Sequence, residues 1–168
     1  MILNVSNLNK AYIEKPILND VSFHIEDKEK AAIVGINGSG KTTLIKCILG
    51  EEEADSGIIA LSKGKKMGYL AQQHDEMDSD YDLLSGGQKT RKRLEEVLLE
   101  KPDLIILDEP TNHLDIESIQ WLEKGLKYYD GAVLLVSHDR YFLDRVVNKV
   151  IDIENGKARM YKGNYSDY

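Results

Sequence analysis

The residues with the clearest chemical purpose lie at 35–42 and read GINGSGKT. Gly35, Gly38 and Gly40 leave the backbone without Cβ atoms, so successive N–H groups can turn into one concave nest. The loop follows an apolar run at 31–34 and opens a helical pattern at Lys41, so a helix N-terminus adds positive potential at the same place. Nest, helix end, ammonium and hydroxyl together make a cradle for a polyphosphate, and the spacing fits G-x-x-x-x-G-K-[ST]. Lys41 is expected to reach the β- and γ-phosphates and the Thr42 hydroxyl to ligate Mg²⁺. Asn37, Ser39 and Thr43 line the same turn and count as nucleotide-binding candidates.

A second group lies at 104–109, LIILDE. An apolar strand ending in two acids places Asp108 at the strand's C-terminal end, where it would hold the metal ion through water. Glu109 would then lie beside the γ-phosphate as base or orienter of the attacking water. Pro110 stops the strand. A third group is LSGGQ at 84–88, in which Ser85, Gly86, Gly87 and Gln88 open a helix with close backbone approach. Lys89, Arg91, Lys92 and Arg93 crowd the first turns of that helix, against the preference of its dipole. Two readings of these cations stand open: a helix end suited to meeting phosphate, or a solvated face laced by the i,i+4 pairs Arg91–Glu95 and Lys92–Glu96.

LSGGQ after a phosphate loop resembles the signature of the ATP-binding cassette (ABC) superfamily, and the resemblance runs in order over nearly the whole chain. It implies ATP as the nucleotide. Tyr12 falls where the family stacks an aromatic ring on adenine, Gln72 at the glutamine that touches Mg²⁺ and the attacking water, with Gln73 adjacent. Asp115 matches the D-loop aspartate and His138 the switch histidine at the γ-phosphate. The family pairs two cassettes head to tail, the signature of one closing over the ATP of the other. EPTNHLD at 109–115, SHDRYFLD at 137–144 and GNYSDY at 163–168 resemble the ABC-F class. Its members lack transmembrane domains, carry two cassettes per chain and in several cases act on the ribosome. The chain resembles the first cassette. A transporter ATPase subunit is the alternative, against which the TNHLD wording argues.

The elements that must position these residues follow from pattern. Strands are expected at 2–5, 21–25, 31–34, 58–61, 67–70, 104–107, 133–136 and 150–153, and helices at 41–49, 87–99, 116–128 and 140–147. The runs near 31, 104 and 133 are continuously apolar, as strands covered on both faces of a parallel sheet are. The other strands read as a more exposed antiparallel layer. Gly50 suits a helix C-terminus, Asp115 can cap the third helix, and Ile119, Leu122 and Leu126 form that helix's apolar stripe. Strand–helix alternation predicts one α/β domain over 1–168, a P-loop NTPase with a mainly parallel core sheet flanked by helices and a small antiparallel layer. A net charge of −7 argues against a domain that grips nucleic acid through its own surface. No run of about 18 apolar residues is present to cross a membrane. The N-terminus carries no secretory pattern, and the single cysteine, Cys47, fits a cytoplasmic setting.

One departure from the family is large. Gln72 and Ser85 lie close together in sequence, whereas cassettes place a helical subdomain of several tens of residues there. The stretch 73–82 is polar and acidic and reads as a loop, with the shortened arm at 73–84. Either the cassette is trimmed, redesigned or naturally minimal, or residues between 73 and 84 have dropped out of the sequence. The shortening bears on hydrolysis more than on ATP binding, so a nucleotide-binding module without turnover stands as the rival reading. After Tyr168 the family continues into a linker that reaches the ribosome, so ribosome binding is not expected of this piece alone.

Overall fold

The computed structural model describes residues 1–13, 15–35, 40–71, 86–112 and 114–163. The elements run β1 (Leu3–Tyr12), β2 (Lys15–Ile25), β3 (Lys30–Val34), α1 (Lys41–Leu49), β4 (Ser56–Leu61), β5 (Met67–Leu70), α2 (Gly86–Leu99), β6 (Leu104–Asp108), α3 (Ile116–Lys127), β7 (Ala132–Val136), α4 (Arg140–Val146), β8 (Lys149–Glu154) and β9 (Lys157–Lys162). A six-stranded sheet has the order β5-β6-β7-β3-β8-β9, and a three-stranded sheet the order β2-β1-β4. The first five strands of the large sheet are parallel, and β9 runs antiparallel along its edge. The small sheet is wholly antiparallel.

The continuous apolar runs have a direct cause: successive side chains point to opposite faces, and both faces are covered. Ala31 and Ile33 of β3, Leu104 and Ile106 of β6, and Leu134 of β7 pack toward the small sheet and α1, among Leu3, Val21, Phe23, Leu44 and Ile48. Their neighbours Ala32, Ile105, Leu107, Val133 and Leu135 pack on the other face against Leu94 of α2, Leu122 and Leu126 of α3, and Phe142 and Leu143 of α4. The phosphate-loop helix α1 and the signature-bearing helix α2 thus lie on opposite faces of the large sheet.

Two strands expected in the antiparallel layer belong to the parallel sheet. In β5, Met67 pairs with Leu104 and Leu70 with Leu107 of β6; in β8, Val150 pairs with Ala32 and Ile151 with Ile33 of β3. The pattern misled for physical reasons. β5 is a four-residue edge strand that is only half covered, and β8 mixes its buried apolar residues with Lys149 and Asp152. Strand β9 was not expected at all: KARMYK is charged and exposed, which is how an edge strand is kept from pairing with other chains. β1 and β2 run longer than their apolar segments because register shifts between Val5 and Leu8, Leu8 and Lys10, and Lys10 and Ala11 interrupt the alternation.

The helix ends follow their chemistry. Gly50 closes α1 in the left-handed region at φ 80°. The Asp115 carboxylate accepts the Ser118 N–H at 2.8 Å, and α3 starts there with Leu122 and Leu126 buried. At the edge of the large sheet where its parallel strands begin, two lysines are buried. Lys149 Nζ donates to His24 O at 2.7 Å and pairs with Glu29 Oε1 at 2.8 Å. Lys30 Nζ donates to the carbonyls of Tyr129, at 2.6 Å, and of Gly131; burial lowers its pKa, with Asp130 acting in the opposite sense.

Candidate nucleotide-binding site

Strand order decides which loops meet. β6, β7 and β3 are neighbours and parallel, so the segments leaving their C-terminal ends share one edge of the sheet, where open α/β sheets bind ligands. Asp108 of β6 and Ile33 of β3 both stand opposite Val136 of β7. They are therefore level and two strand spacings, about 10 Å, apart.

After β3 the chain turns into α1 through Gly40, whose φ is 100°. A Cβ there would lie 2.9 Å from Leu18 Cδ2 and 3.0 Å from Ile17 O of β2, so glycine is required for conformation and for space. Lys41 is buried at the first turn of α1, and its Nζ donates to Gly35 O at 2.6 Å. Thr42 is exposed and Thr43 half-buried in the same turn, which carries no acidic residue. No acid of α1 itself therefore offsets the positive potential of its N-terminus.

Lys41 Nζ lies 3.2 Å from His138 Nε2, and the same nitrogen lies 3.2 Å from Glu109 Oε1. Nε2 carries either a proton or a lone pair, so donating to Glu109 and accepting from Lys41 are alternatives. Glu109 holds a left-handed backbone at φ 48°, and its N–H donates to Val136 O at 2.7 Å. That bond ties the end of β6 to β7 and turns the carboxylate toward His138. Burial raises the Glu109 pKa; His138 and Lys41 oppose the shift while Asp108 adds to it. Burial lowers the Lys41 pKa against the pull of Glu109 and Asp108.

His138 is exposed because its neighbours are anchored. Ser137 is buried and its Oγ accepts the Asp139 N–H at 3.1 Å, while Asp139 caps α4 by accepting the Phe142 N–H at 3.1 Å. Sequence reasoning passed over Ser137 and Asp139, although a Ser-x-Asp stretch just before a helix is a capping signal. It also passed over Lys10, whose ammonium approaches the Tyr12 ring to 5.3 Å. Tyr12 ends β1 opposite Lys15, and its neighbour Lys10 stands opposite Leu18, the residue whose side chain lies against Gly40 at the start of α1.

Lys41, Glu109 and His138 are thus brought together, with Asp108 and Thr42 on the same edge. Asp115 stands at the far end of the short loop from Glu109, which is held by the Asn112 N–H on Glu109 O and the Leu114 N–H on Thr111 O, both at 3.3 Å. Gly86, Gly87 and Gln88 open α2. Arg91, expected beside Glu95, places its guanidinium 5.0 Å from the Trp121 ring of α3. Asn37, Gly38, Ser39, Gln72, Ser85 and the loop at 73–82 lie outside the described residues.

A glycine-gated helix start with a buried lysine, facing two strand-end acids and a histidine, defines a P-loop nucleotide-binding core. The family model described as "ABC transporter" matches residues 18–75 and 63–112, and the chain belongs to that family as an ATP-binding domain. Similar proteins include the putative ATP-binding protein YdiF of Bacillus subtilis, 36% identical over 247 aligned positions that take in 100% of this chain and 38% of the relative. The energy-dependent translational throttle protein EttA of Escherichia coli is 32% identical, over 99% of this chain and 38% of its own length. ABC transporter F family member 5 of Arabidopsis thaliana is 30% identical, over 99% of the chain and 36% of its own length. The chain therefore spans well under half of each of these relatives. Against YdiF, an alignment of 247 positions that uses all 168 residues leaves at least 79 positions, 247 less 168, with no residue in this chain. Among solved structures, cbiO1 from Clostridium perfringens superposes with a TM-score of 0.82 at 23% identity, over 97% of this chain and 88% of that one. A dimeric ATP-binding cassette bound to ADP and Pi superposes with a TM-score of 0.78 at 20% identity, over 96% and 98%. These likenesses establish the fold.

Proposed function

We propose that this chain binds Mg-ATP and hydrolyses it when paired head to tail with a second cassette. The observation that carries the reading is the convergence of Lys41, Glu109 and His138 at the ends of three adjacent parallel strands. In this reading the loop 35–42 and Lys41 hold the phosphates. Glu109 orients or deprotonates the attacking water, His138 contacts the γ-phosphate, and Gln72 reaches the metal and the water. Tyr12 stacks on the base. The donors suit Mg²⁺: the exposed Thr42 hydroxyl and the Asp108 carboxylate, level with the end of β3, are hard oxygen ligands. Mg²⁺ there would neutralise charge developing on the transferred phosphoryl group.

Pairing explains the placement of α2. With α1 and α2 on opposite faces of the large sheet, Ser85, Gly86, Gly87 and Gln88 serve a nucleotide held by another cassette, and Asp115 lies at the seam between the two. Likeness to EttA and to the F family member favours an ABC-F-like cassette in the cytoplasm over a transporter subunit. Among the described residues no helix is long and apolar enough to cross a membrane.

The second reading, a nucleotide-binding module without turnover, draws its support from the 79 or more alignment positions this chain lacks. Phosphate release from Mg-ATP, measured across a series of protein concentrations, separates the two. Release that rises faster than linearly and vanishes in Glu109→Gln and Lys41→Ala supports the paired ATPase. Absence of release, with ATP still raising the Tm of the parent but not of Lys41→Ala, supports the binding module.

A further inference from the structure

The far end of the β1–β2 hairpin is held in an unusual way. β4 pairs with β1 only as far as Asn9, opposite Ser56. Among the described residues, Lys10, Ala11 and Tyr12 have β2 alone as a strand partner, and a two-stranded ribbon is barely stable by itself. The segment that follows α1 supplies the missing support. The Asp55 N–H donates to Asn9 O at 2.8 Å, and Asp55 Oδ2 accepts the Ala11 N–H at 2.8 Å. Lys10 Nζ donates to Glu53 O at 2.6 Å and lies 3.8 Å from both Glu52 and Asp55 carboxylate oxygens. The same ammonium sits 5.3 Å from the centroid of the Tyr12 ring. Its side chain is 13% exposed although it lies close to the end of β1, beyond the pairing with β4. The segment is itself fixed to α1, since the N–H groups of Glu51 and Glu52 donate to Lys46 O at 2.9 and 3.3 Å.

We propose that Lys10 is a positioning residue for the nucleotide base. It fixes the Tyr12 ring relative to α1, the helix whose first residue, Lys41, reaches the phosphates. The inference rests on the reading of Tyr12 as the base platform. Hydrogen bonds and ion pairs run from Lys46 through Glu52, Glu53 and Asp55 to Lys10, and the Lys10 ammonium faces the Tyr12 ring. The distance between α1 and the ring is thereby set, and a stacked base finds its platform already ordered, which lowers the entropy cost of binding. The cation covers one part of the ring while the residue remains 41% exposed, leaving aromatic surface for a planar base. The ring is held by charge and contact and carries no constraint on the base's hydrogen-bonding edge, so the device strengthens stacking of any purine and does not select adenine over guanine.

Dissociation constants of Mg-ATP, Mg-GTP and inorganic tripolyphosphate with the full chain test the proposal, in the parent and in Lys10→Met, Lys10→Arg, Tyr12→Ala and the Lys10→Met/Tyr12→Ala double variant. Lys10→Met should weaken ATP and GTP alike, by about 2–5-fold, as expected for loss of one cation–π contact at a part-exposed site, and leave tripolyphosphate affinity unchanged. Lys10→Arg should restore most of the affinity, and in the Tyr12→Ala background the Lys10 substitution should add nothing. If Tyr12→Ala leaves ATP affinity unchanged, the base-platform reading fails and the inference with it. If Tyr12→Ala weakens ATP but Lys10→Met does not, or Lys10→Met weakens tripolyphosphate equally, or its effect persists without Tyr12, the positioning role alone is overturned. Circular dichroism of each variant confirms that folded proteins are being compared.

Discussion

Replacing Glu29 by Gln removes one negative charge, keeps the shape, and leaves the Lys149 ammonium buried without its ion-pair partner. In the parent, Lys149 Nζ lies 2.8 Å from Glu29 Oε1 and its side chain is 2% exposed. Removing the counter-charge of a buried pair costs about 3–5 kcal/mol. Glu29 is 16% exposed and the His24 carbonyl stays bonded to the ammonium, so the expected loss falls to about 2–3 kcal/mol. In a domain of this size that is about 5–10 °C in Tm. Lys149→Met removes the charge that needs a partner and fills similar space, so it should cost less than about 1 kcal/mol. Glu29→Gln with Lys149→Met should then match Lys149→Met alone, giving a coupling of about 2 kcal/mol between the two sites. Urea titrations of the four proteins, with m-values checked for constancy, give these quantities directly. Equal losses in the two single variants that add in the double would refute the reasoning, because each side chain would then be contributing packing and not one half of a pair.

Three further outcomes follow from the site. Gly40→Ala must place a Cβ 2.9 Å from Leu18 at a φ of 100° and should lose about 1–3 kcal/mol of stability together with ATP binding, read by calorimetry. Asp115→Ala removes the acceptor of the Ser118 N–H and should lower the Tm more than Asp115→Asn, which keeps a capping oxygen; with Asp115 at the cassette seam, phosphate release also falls further in the Ala variant. Glu109 has a folded-state pKa above its unfolded value, chiefly through burial, so the native state binds its proton more tightly and this residue's contribution to stability falls as pH rises through and just above the ordinary carboxylate range. Glu109→Gln lacks that loss, so its stability relative to the parent should climb from acid to neutral pH in denaturant titrations, while its ATP affinity is kept and its phosphate release is abolished.

What could be read from the sequence tracks how local the causes are. The phosphate loop and the acids closing β6 announced themselves because strand, turn and helix start are encoded within a few residues of the chemistry. The cap at Asp115 and the closing Gly50 were legible for the same reason. Placement of β5 and β8 was not, since membership of a sheet depends on partners far away: Met67 finds Leu104, and Ile151 finds Ile33. β9 escaped because its polar exposed residues suit an edge and look like a solvated loop. Contacts among Lys41, Glu109 and His138 required the strand order β6-β7-β3, which no local pattern carries. The clamp on Tyr12 escaped as well, because Lys10 and Asp55 are distant in sequence and neither belongs to a motif.

The same strand order has a consequence in time. β3, which leads into the phosphate loop, is flanked by β7 and β8, with Lys30 opposite Val133 and Ala31 opposite Lys149. A translating ribosome adding about 5–20 residues per second makes β3 roughly 5–20 s before β7 exists, and β8 follows later still. Until β7 emerges, a strand that is apolar after Lys30 has neither lateral partner, and the strand-end residues of β6 and β7 that complete the site are not yet all in place. Nucleotide thus meets an incomplete site on the nascent chain, where the small sheet and α1 can cover the Ala31 and Ile33 face of β3 while the Ala32 and Val34 face waits for the later helices.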